Sequence, residues 1–235
     1  MLSKDDRILD KKTFQSVGKD ILMRWEYGRG TWLDIVNKKG DGHYLDFQDI
    51  HDGECVLKQA FEIIDSSEEK LITAVVLLDS IYHTHLSNPL RYARKLYQRS
   101  DFKSIIDSIR STEVVNNNKM AIDCVRKLAE HDKNEPGGSY TYSFATKFSN
   151  WLNKQFPIVD RYVAGIIYKY ENPNRFKQND LGDYAFFVEQ YDQIIRNHKL
   201  ESYTYKEIDI CMWTYAKVHK LAWGEDFGID VTYKG

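Results

Sequence analysis

The chain has few of the residues that mark secreted or membrane proteins. It contains only three cysteines in 235 residues, an odd number scattered as Cys55, Cys124 and Cys211. This usage predicts a reducing, cytoplasmic location rather than a disulfide framework. No apolar run approaches the roughly 18 residues of a membrane span, and the N-terminal sequence MLSKDDRILDKK lacks the apolar core of a signal peptide. These absences predict a protein without a membrane partner.

An excess of either charge is also lacking. The 33 Lys and Arg residues nearly balance the 35 Asp and Glu residues, giving a formal net charge of −2. A protein that coats nucleic acid indiscriminately is therefore not expected, and DNA binding would depend on a local basic patch. Residues 147–169 have a local net charge of +3 and supply a candidate patch: Lys147, Lys154, Arg161 and Lys169 against Asp160.

The chain does contain clear helical patterning. Its apolar content of 42% is sufficient for a core without disulfides. From Ser66 onward apolar side chains recur at helical spacing, which predicts an all-α bundle in two lobes. We expect residues 1–65 to pack on the second lobe and residues 66–235 to form the helical domain, with one continuous unit as the alternative. The predicted helices include Thr13 to Trp25, one after a Ser66–Glu69 capping box, Tyr184 to His198, and one after Thr204 and Glu207.

Residues 37–54 are rich in Gly and Asp, which predicts a loop. His43, His51 and Cys55 lie in or beside this region, but their spacing fits no standard zinc pattern. We therefore expect neither a metal site nor a cofactor.

The most informative stretch runs from Ser139 to Lys169. Ser139 is the expected N-cap of an amphipathic helix, because apolar side chains follow at i, i+4, i+7 and i+8: Phe144, Phe148, Trp151 and Leu152. At 100° per residue, Lys147 lies about 60° from Phe144, on the edge of the apolar stripe. Tyr140 and Trp151 fall on the same side. The lysine is therefore expected to be flanked by aromatic rings.

A second helix is predicted directly after this one. Pro157 forces extended backbone on Phe156, and Asp160 is the expected N-cap. Two helices joined by a short linker form a hairpin, so Lys147 and Asp160, thirteen positions apart, are expected to face one another across a cleft. Taken alone, each has an ordinary explanation, Lys147 as a solvated helix residue and Asp160 as a cap.

The segments Ala145-Thr146-Lys147 and Phe156-Pro157-Ile158-Val159-Asp160 resemble the helix-hairpin-helix DNA glycosylase superfamily. The closer likeness is to its divergent 8-oxoguanine glycosylases of the archaeal type. The usual Leu-Pro-Gly-Val-Gly before the lysine is absent, and Pro136-Gly137-Gly138 stands upstream instead. The resemblance implies that Lys147 is a Schiff-base nucleophile and that Asp160 is an electrostatic or general-base residue.

The resemblance also implies residues that hold the extruded base. In the archaeal-type enzymes an Asp and a Trp four apart on a C-terminal helix do so, and Asp209 and Trp213 have that spacing here. Trp151 matches a further aromatic position of that family, and Tyr140 is expected beside it. For Trp213, ordinary core packing is an equal alternative.

The resemblance also places His83 near a wedge loop. In glycosylases of this superfamily, that loop inserts a side chain into the gap left by a flipped base. The alternative for His83 is a histidine favoured by the dipole at a helix C-terminus. With Lys154, Arg161 and Lys169, it completes the candidate DNA-binding set.

N-glycosidic cleavage explains why these residue types would be needed. The sugar C1′ becomes oxocarbenium-like, so an ionised carboxylate nearby stabilises the transition state. An amine attacks C1′ only in its neutral form, which burial between rings favours. The target base must first leave the stack, and aromatic faces can then hold it while a carboxylate reads its edge.

The expected function is therefore excision of an oxidised or otherwise modified base, 8-oxoguanine first, with or without an AP-lyase step. The partner would be double-stranded DNA containing that base, bound by a nucleoid-associated monomer. One alternative is a glycosylase that restricts foreign DNA with hypermodified bases. A second is a non-catalytic module that binds DNA or a modified base, and a third is a helical interaction protein without a nucleic-acid partner.

Overall fold

The computed structural model describes residues 2–36, 47–84, 86–113, 115, 118–131, 141–170 and 176–231. Within these ranges the chain is helical and forms no β-strand, which confirms the all-α prediction. None of the described helices combines the length and apolar character needed to cross a bilayer. The helices are α1 (Lys11–Thr13, a π-helical turn Phe14–Gly18, then Lys19–Tyr27), α2 (Phe47–Glu62), α3 (Glu68–Tyr82), α4 (Pro89–Tyr97), α5 (Phe102–Arg110), α6 (Lys119–Ala129), α7 (Tyr142–Leu152), α8 (Arg161–Tyr170), α9 (Tyr184–His198) and α10 (Tyr205–Trp223), with short 3₁₀ helices at Trp32–Val36 and Gln178–Gly182.

The loop predicted for residues 37–54 is wrong from residue 47 onward, since α2 begins there. Phe47, Leu57 and Phe61 bury one face of this helix, and that burial outweighs the poor helix propensity of Gly53 and the aspartates. Residues 37–46, including His43, lie outside the described residues. The predicted helix from Thr13 to Trp25 is confirmed and is longer at both ends.

The helix caps follow the sequence with two corrections. Thr141 occupies the N-cap position of α7, and Ser139, which was predicted there, lies outside the described residues. The N-cap of α3 is Ser67 rather than Ser66, and its Oγ accepts a hydrogen bond from the Lys70 N–H at 3.4 Å. Ser66 instead donates to the Ile63 carbonyl of the preceding turn at 2.7 Å. On α10, Thr204 and Glu207 form the predicted capping box.

Helix α7 lies at the centre of the core. Its neighbours are α2, α3, α5 and α6. Nearly every side chain in its middle is fully covered: Phe144, Ala145, Thr146, Phe148, Ser149 and Asn150 are all 0% exposed. Lys147 is carried by this buried helix and is itself only 6% exposed.

The N-terminal segment packs against the last helix. Trp25 on α1 meets Trp213 on α10 edge to face, with 6.1 Å between ring centroids. Two residues further along α10, the Tyr215 hydroxyl donates to the Asp6 carbonyl at 2.7 Å. The boundary between residues 1–65 and 66–235 remains a prediction, but these contacts join both parts in one core.

After α10 the chain crosses α8 as an extended segment, residues 225–231. The Ile229 N–H donates to the Arg161 carbonyl at 3.2 Å, and Phe227 is 3% exposed. The segment fits closely because Gly165 has no side chain. A Cβ added there would lie 1.7 Å from the Phe227 carbonyl oxygen.

We therefore expect Gly165→Ala to displace this segment. The net loss should be about 2 kcal/mol of unfolding free energy, or roughly 4–8 °C in Tm, measured by thermal denaturation. Gly53→Ala on α2 is the matched control, because its Cβ would first meet the flexible Ile81 side chain at 3.3 Å. Equal stability of the two variants would contradict the close packing inferred at Gly165.

Candidate active site

The linker between α7 and α8 is tied back onto α7 by two side chains. The Asn150 amide donates to the Phe156 carbonyl at 2.8 Å, and the Val159 N–H donates to the Thr146 hydroxyl at 3.1 Å. Both α7 residues are fully buried, so their positions are set by the core. These bonds fold the linker against α7 and place Asp160 beside Lys147.

Asp160 uses its two carboxylate oxygens differently. Oδ1 accepts the Tyr162 N–H at 2.8 Å, which confirms the predicted N-cap of α8. Oδ2 lies 3.6 Å from the Lys147 Nζ. The expected pairing of these residues across the hairpin is therefore present, and the cap bond fixes the carboxylate that faces the amine.

The Lys147 amine is enclosed by polar groups and one ring. Nζ donates to the Ser143 hydroxyl at 3.0 Å, and the Tyr82 ring centroid lies 5.9 Å away. Only 8% of the Lys147 side chain is exposed, against 15% for Asp160. Admission of a sugar and base to this pair therefore requires the surrounding side chains to rearrange.

Asp209 is a second acidic group of the cluster. It is 7% exposed, and its Oδ1 is buried without a hydrogen-bond partner among the described residues. Burial raises the pKa of Asp209 to about 7, because Lys206 and Lys147 only partly offset the loss of water and Asp160 adds repulsion. A buried acceptor without a partner is costly in a folded protein. This oxygen is therefore a candidate acceptor for a hydrogen bond from a ligand.

A second buried ion pair lies near the first and was not predicted from the sequence. The Lys206 Nζ on α10 donates to Glu54 Oε1 on α2 at 2.7 Å. The Tyr82 hydroxyl donates to the same oxygen at 2.5 Å, and the Trp25 indole N–H donates to Oε2 at 2.8 Å. Glu54 therefore joins side chains of α1, α2, α3 and α10 in one network.

The network keeps both of its ions charged. Burial alone would raise the pKa of Glu54, but Lys206 and the hydrogen bonds from Tyr82 and Trp25 outweigh it, and the pKa is lowered. Burial alone would lower the pKa of Lys206, but the charge of Glu54 dominates and raises it. Lys206 is thus a permanent cation, which makes it unsuitable as an amine nucleophile.

The predicted tryptophans lie near different lysines, Trp151 near Lys206 and Trp213 near Lys217. The Lys206 Nζ lies 5.7 Å from the centroids of both Trp25 and Trp151, between their rings. Trp213 is half-buried and packs on Trp25, while the Lys217 Nζ lies 5.1 Å from its centroid. Trp25 and Lys206, which were not predicted, therefore belong to the aromatic surroundings of the site. Tyr140 lies outside the described residues.

The candidate DNA-binding side chains lie at separate places. Lys154 is exposed, with its Nζ 4.2 Å from the Trp151 centroid. His83 is exposed and ends α3 in a left-handed conformation. Arg161 lies 3.7 Å from Asp230, and Lys169 pairs with Glu225. The +3 charge of residues 147–169 is therefore reduced by acidic partners from the C-terminal segment.

Two surface cavities lie away from the Lys147–Asp160 pair, and Lys169 lines the second of them. One, of about 380 Å³, lies between α5 and α6 and includes Cys124 and Lys127. The other, of about 290 Å³, lies beside Gly165 and Phe227. No cluster of three metal-ligating side chains occurs among the residues that the structure describes. His51 and Cys55 are neighbours on α2, with 3.7 Å between Nε2 and Sγ.

Comparison with known proteins finds no family model, no curated protein and no solved structure that matches this chain.

The ionisation of Asp209 predicts a pH dependence of stability. Its pKa is about 7 in the folded protein and about 4 when unfolded, so the folded state holds the proton more tightly. The resulting stability is complete below about pH 4 and is lost as the pH rises to about 7. Asp209→Asn has no proton to lose and should not show this decline. The difference in unfolding free energy between the variant and wild type, measured by urea unfolding, should therefore rise by on the order of 3 kcal/mol from pH 4 to pH 8.

Asp226→Asn is the matched control for this series. Asp226 forms an exposed ion pair with Lys220. The Lys220 ammonium donates a hydrogen bond to the Asp226 carboxylate, and this bond lowers the pKa of Asp226. That pair stabilises the fold at higher pH and loses its effect as the pH falls, so the control should change in the opposite sense. A constant difference between Asp209→Asn and wild type at all pH values would contradict the buried, proton-binding carboxyl.

Proposed function

We propose that the protein is a DNA glycosylase that excises an oxidised or otherwise modified base, with 8-oxoguanine as the first choice. The observation that supports this most is the approach of the Lys147 Nζ to 3.6 Å from Asp160 Oδ2 on a tied helical hairpin. The hairpin of α7 and α8 would serve as the helix-hairpin-helix element of a glycosylase-like fold. The partner is double-stranded DNA with an extruded base, bound by a monomer.

In the proposed reaction the neutral Lys147 amine attacks C1′ of the target nucleotide. The bond from C1′ to the base nitrogen breaks, its electron pair leaves with the base, and the base takes up a proton. One amine proton passes to the leaving base. The C1′–O4′ bond then breaks, O4′ takes up the second amine proton, and the nitrogen forms the C1′=N bond of an imine, which water hydrolyses or which proceeds to strand cleavage. Asp160 stabilises the positive charge that develops at the sugar. The hydrogen bond from the Tyr162 N–H to Oδ1 orients the carboxylate, so that Oδ2 faces the Lys147 amine and the sugar bound to it.

Asp209 and the nearby rings would hold the base. The unpartnered Asp209 Oδ1 can accept a hydrogen bond from a base N–H. Trp151 and Trp213 would supply stacking surface, with Trp25 as an additional ring. Lys154, Arg161, Lys169 and His83 would contact the DNA backbone or the gap.

The second candidate is a non-catalytic module that binds DNA or a modified base. The low exposure of Lys147 favours it, since a nucleophile that stays covered cannot reach C1′. Both candidates share the cluster of Lys147, Asp160 and Asp209, and they differ in whether the base is released.

Base release from duplex oligonucleotides separates the candidates. The panel should include 8-oxoguanine and hypermodified bases, with released base quantified by mass spectrometry and binding measured by fluorescence anisotropy at low salt. We expect release of 8-oxoguanine by the wild-type protein. Binding without release, unchanged by Lys147→Gln, would favour the module, while absence of DNA binding at low salt would favour a helical interaction protein without a nucleic-acid partner.

A further inference from the structure

Two buried side chains of α10 present a donor and an acceptor on the same helical face. Lys206 and Asp209 are three residues apart, which places them one above the other. They are 8% and 7% exposed. Both lie in the cluster that contains the Lys147–Asp160 pair, and each is within electrostatic range of the other.

Lys206 has one hydrogen-bond donor left after its contacts with the residues that the structure describes. An ammonium carries three N–H groups. One points to Glu54 Oε1 at 2.7 Å and a second to the Tyr82 oxygen at 3.2 Å. The remaining N–H is held in position because Glu54 is itself fixed by Tyr82 and Trp25.

Asp209 supplies the complementary group. Its Oδ1 is buried and accepts no hydrogen bond from any described residue. The ammonium of Lys206 can only donate, and the carboxylate of Asp209, once it is ionised above about pH 7, can only accept. A ligand that satisfies both must place an acceptor near Lys206 and an N–H near Asp209.

We infer that Lys206 and Asp209 together select bases whose edge carries a carbonyl oxygen beside a ring N–H, and that Lys206 is a specificity-determining residue. This inference rests on the proposed function, because it assigns the substrate class of the same site. An amino group in place of the carbonyl would point its N–H at the Lys206 ammonium and leave two donors facing each other. Oxo bases are therefore accepted and the corresponding amino bases rejected.

Nucleoside binding tests this selection without requiring catalysis. Quenching of tryptophan fluorescence gives the affinity for two matched pairs of probes. Deoxyinosine against deoxyadenosine exchanges the six-position oxygen for an amino group and the N1–H for an unprotonated nitrogen. The pair of 8-oxo-deoxyguanosine and 8-amino-deoxyguanosine makes the same exchange at the eight position and N7. We expect the wild-type protein to prefer the oxo member of at least one pair by about tenfold or more.

The variants remove the donor while keeping the fold. Lys206→Met alone leaves Glu54 as an uncompensated buried charge, so Glu54→Gln/Lys206→Met is made beside it as a neutral pair. In the double variant the preference should fall by about threefold or more, and the part that remains reports the ring N–H that Asp209 accepts. Lys220→Met, at the exposed end of the same helix, is the control and should keep the wild-type ratio.

The outcomes separate this inference from the proposed function. Equal affinity within both pairs, a preference for the amino members, a preference that is undiminished in the double variant, or no nucleoside binding at all would overturn the inference. Release of 8-oxoguanine from a duplex by the same protein preparation would leave the glycosylase proposal standing in each of those cases. An oxo preference without release from any duplex would support the selection and remove the enzymatic proposal.

Discussion

Replacement of Lys147 by Gln is expected to lower the rate of base release by about 10³-fold or more. The amine is the group that forms the bond to C1′, and glutamine has no nucleophile in its place. Gln is similar in length and can keep the hydrogen bond to the Ser143 hydroxyl, which now accepts from Nζ at 3.0 Å. The measurement is single-turnover release of 8-oxoguanine from a duplex, with the fold checked by circular dichroism.

Asp160→Asn separates the two roles of the neighbouring carboxylate. Asparagine is as good an N-cap as aspartate, so the bond to the Tyr162 N–H and the stability of α8 should be retained. The negative charge that faces Lys147 is lost, and the rate should fall by about 10²–10³-fold. Lys220→Gln on the exposed end of α10 is the control. Wild-type rates in both Lys147→Gln and Asp160→Asn would refute their assigned roles.

Replacement of Glu54 by Ala should lower the free energy of unfolding by about 3–5 kcal/mol. The substitution removes one acceptor oxygen from Lys206 and Tyr82 and the other from Trp25. It leaves the Lys206 ammonium buried at 8% exposure without its counter-ion. Urea unfolding at neutral pH measures the loss as a lower midpoint at an unchanged slope.

A double variant distinguishes a broken ion pair from simple loss of packing. Glu54→Met/Lys206→Met replaces both ions by apolar side chains of similar size, which often costs little in buried sites. We expect it to recover more than half of the stability that Glu54→Ala loses. Equal midpoints for wild type and Glu54→Ala would show that the pair contributes nothing and would contradict the network described for this site.

The part of the site that the sequence predicts correctly is local. The end of α7, the N-cap at Asp160 and the approach of that residue to Lys147 follow from helical period, Pro157 and a short linker. Each of these features depends only on residues of the α7–α8 hairpin. Local pattern was sufficient because both helices bury the faces that their periodicity indicates.

The part that was missed depends on long-range contacts. Glu54 and Lys206 are 152 positions apart, and no local period relates them. Glu54 also lay in a stretch whose Gly and Asp content predicted a loop, although it is helical from Phe47. One signal was present in the sequence, because Lys206 shares a face of a mostly apolar helix with Asp209 and a buried lysine there needs a partner.

The surface charge of residues 147–169 also depends on contacts that no local pattern shows. Counting along the chain gives +3 but does not include Glu225 and Asp230, which meet Lys169 and Arg161 only after folding. Lys147 is buried and contributes no surface charge. Net charge along a segment is therefore a poor guide to the potential at its surface.

The central claim is that the Lys147 amine forms a covalent bond to the sugar of a modified nucleotide. Borohydride reduction during incubation with an 8-oxoguanine duplex tests it directly, because reduction converts the imine into a stable cross-link. We predict a cross-linked species whose mass maps to Lys147 and which is absent in Lys147→Gln. No adduct with the intact protein, under conditions where a known lysine-dependent glycosylase is trapped, would contradict the claim.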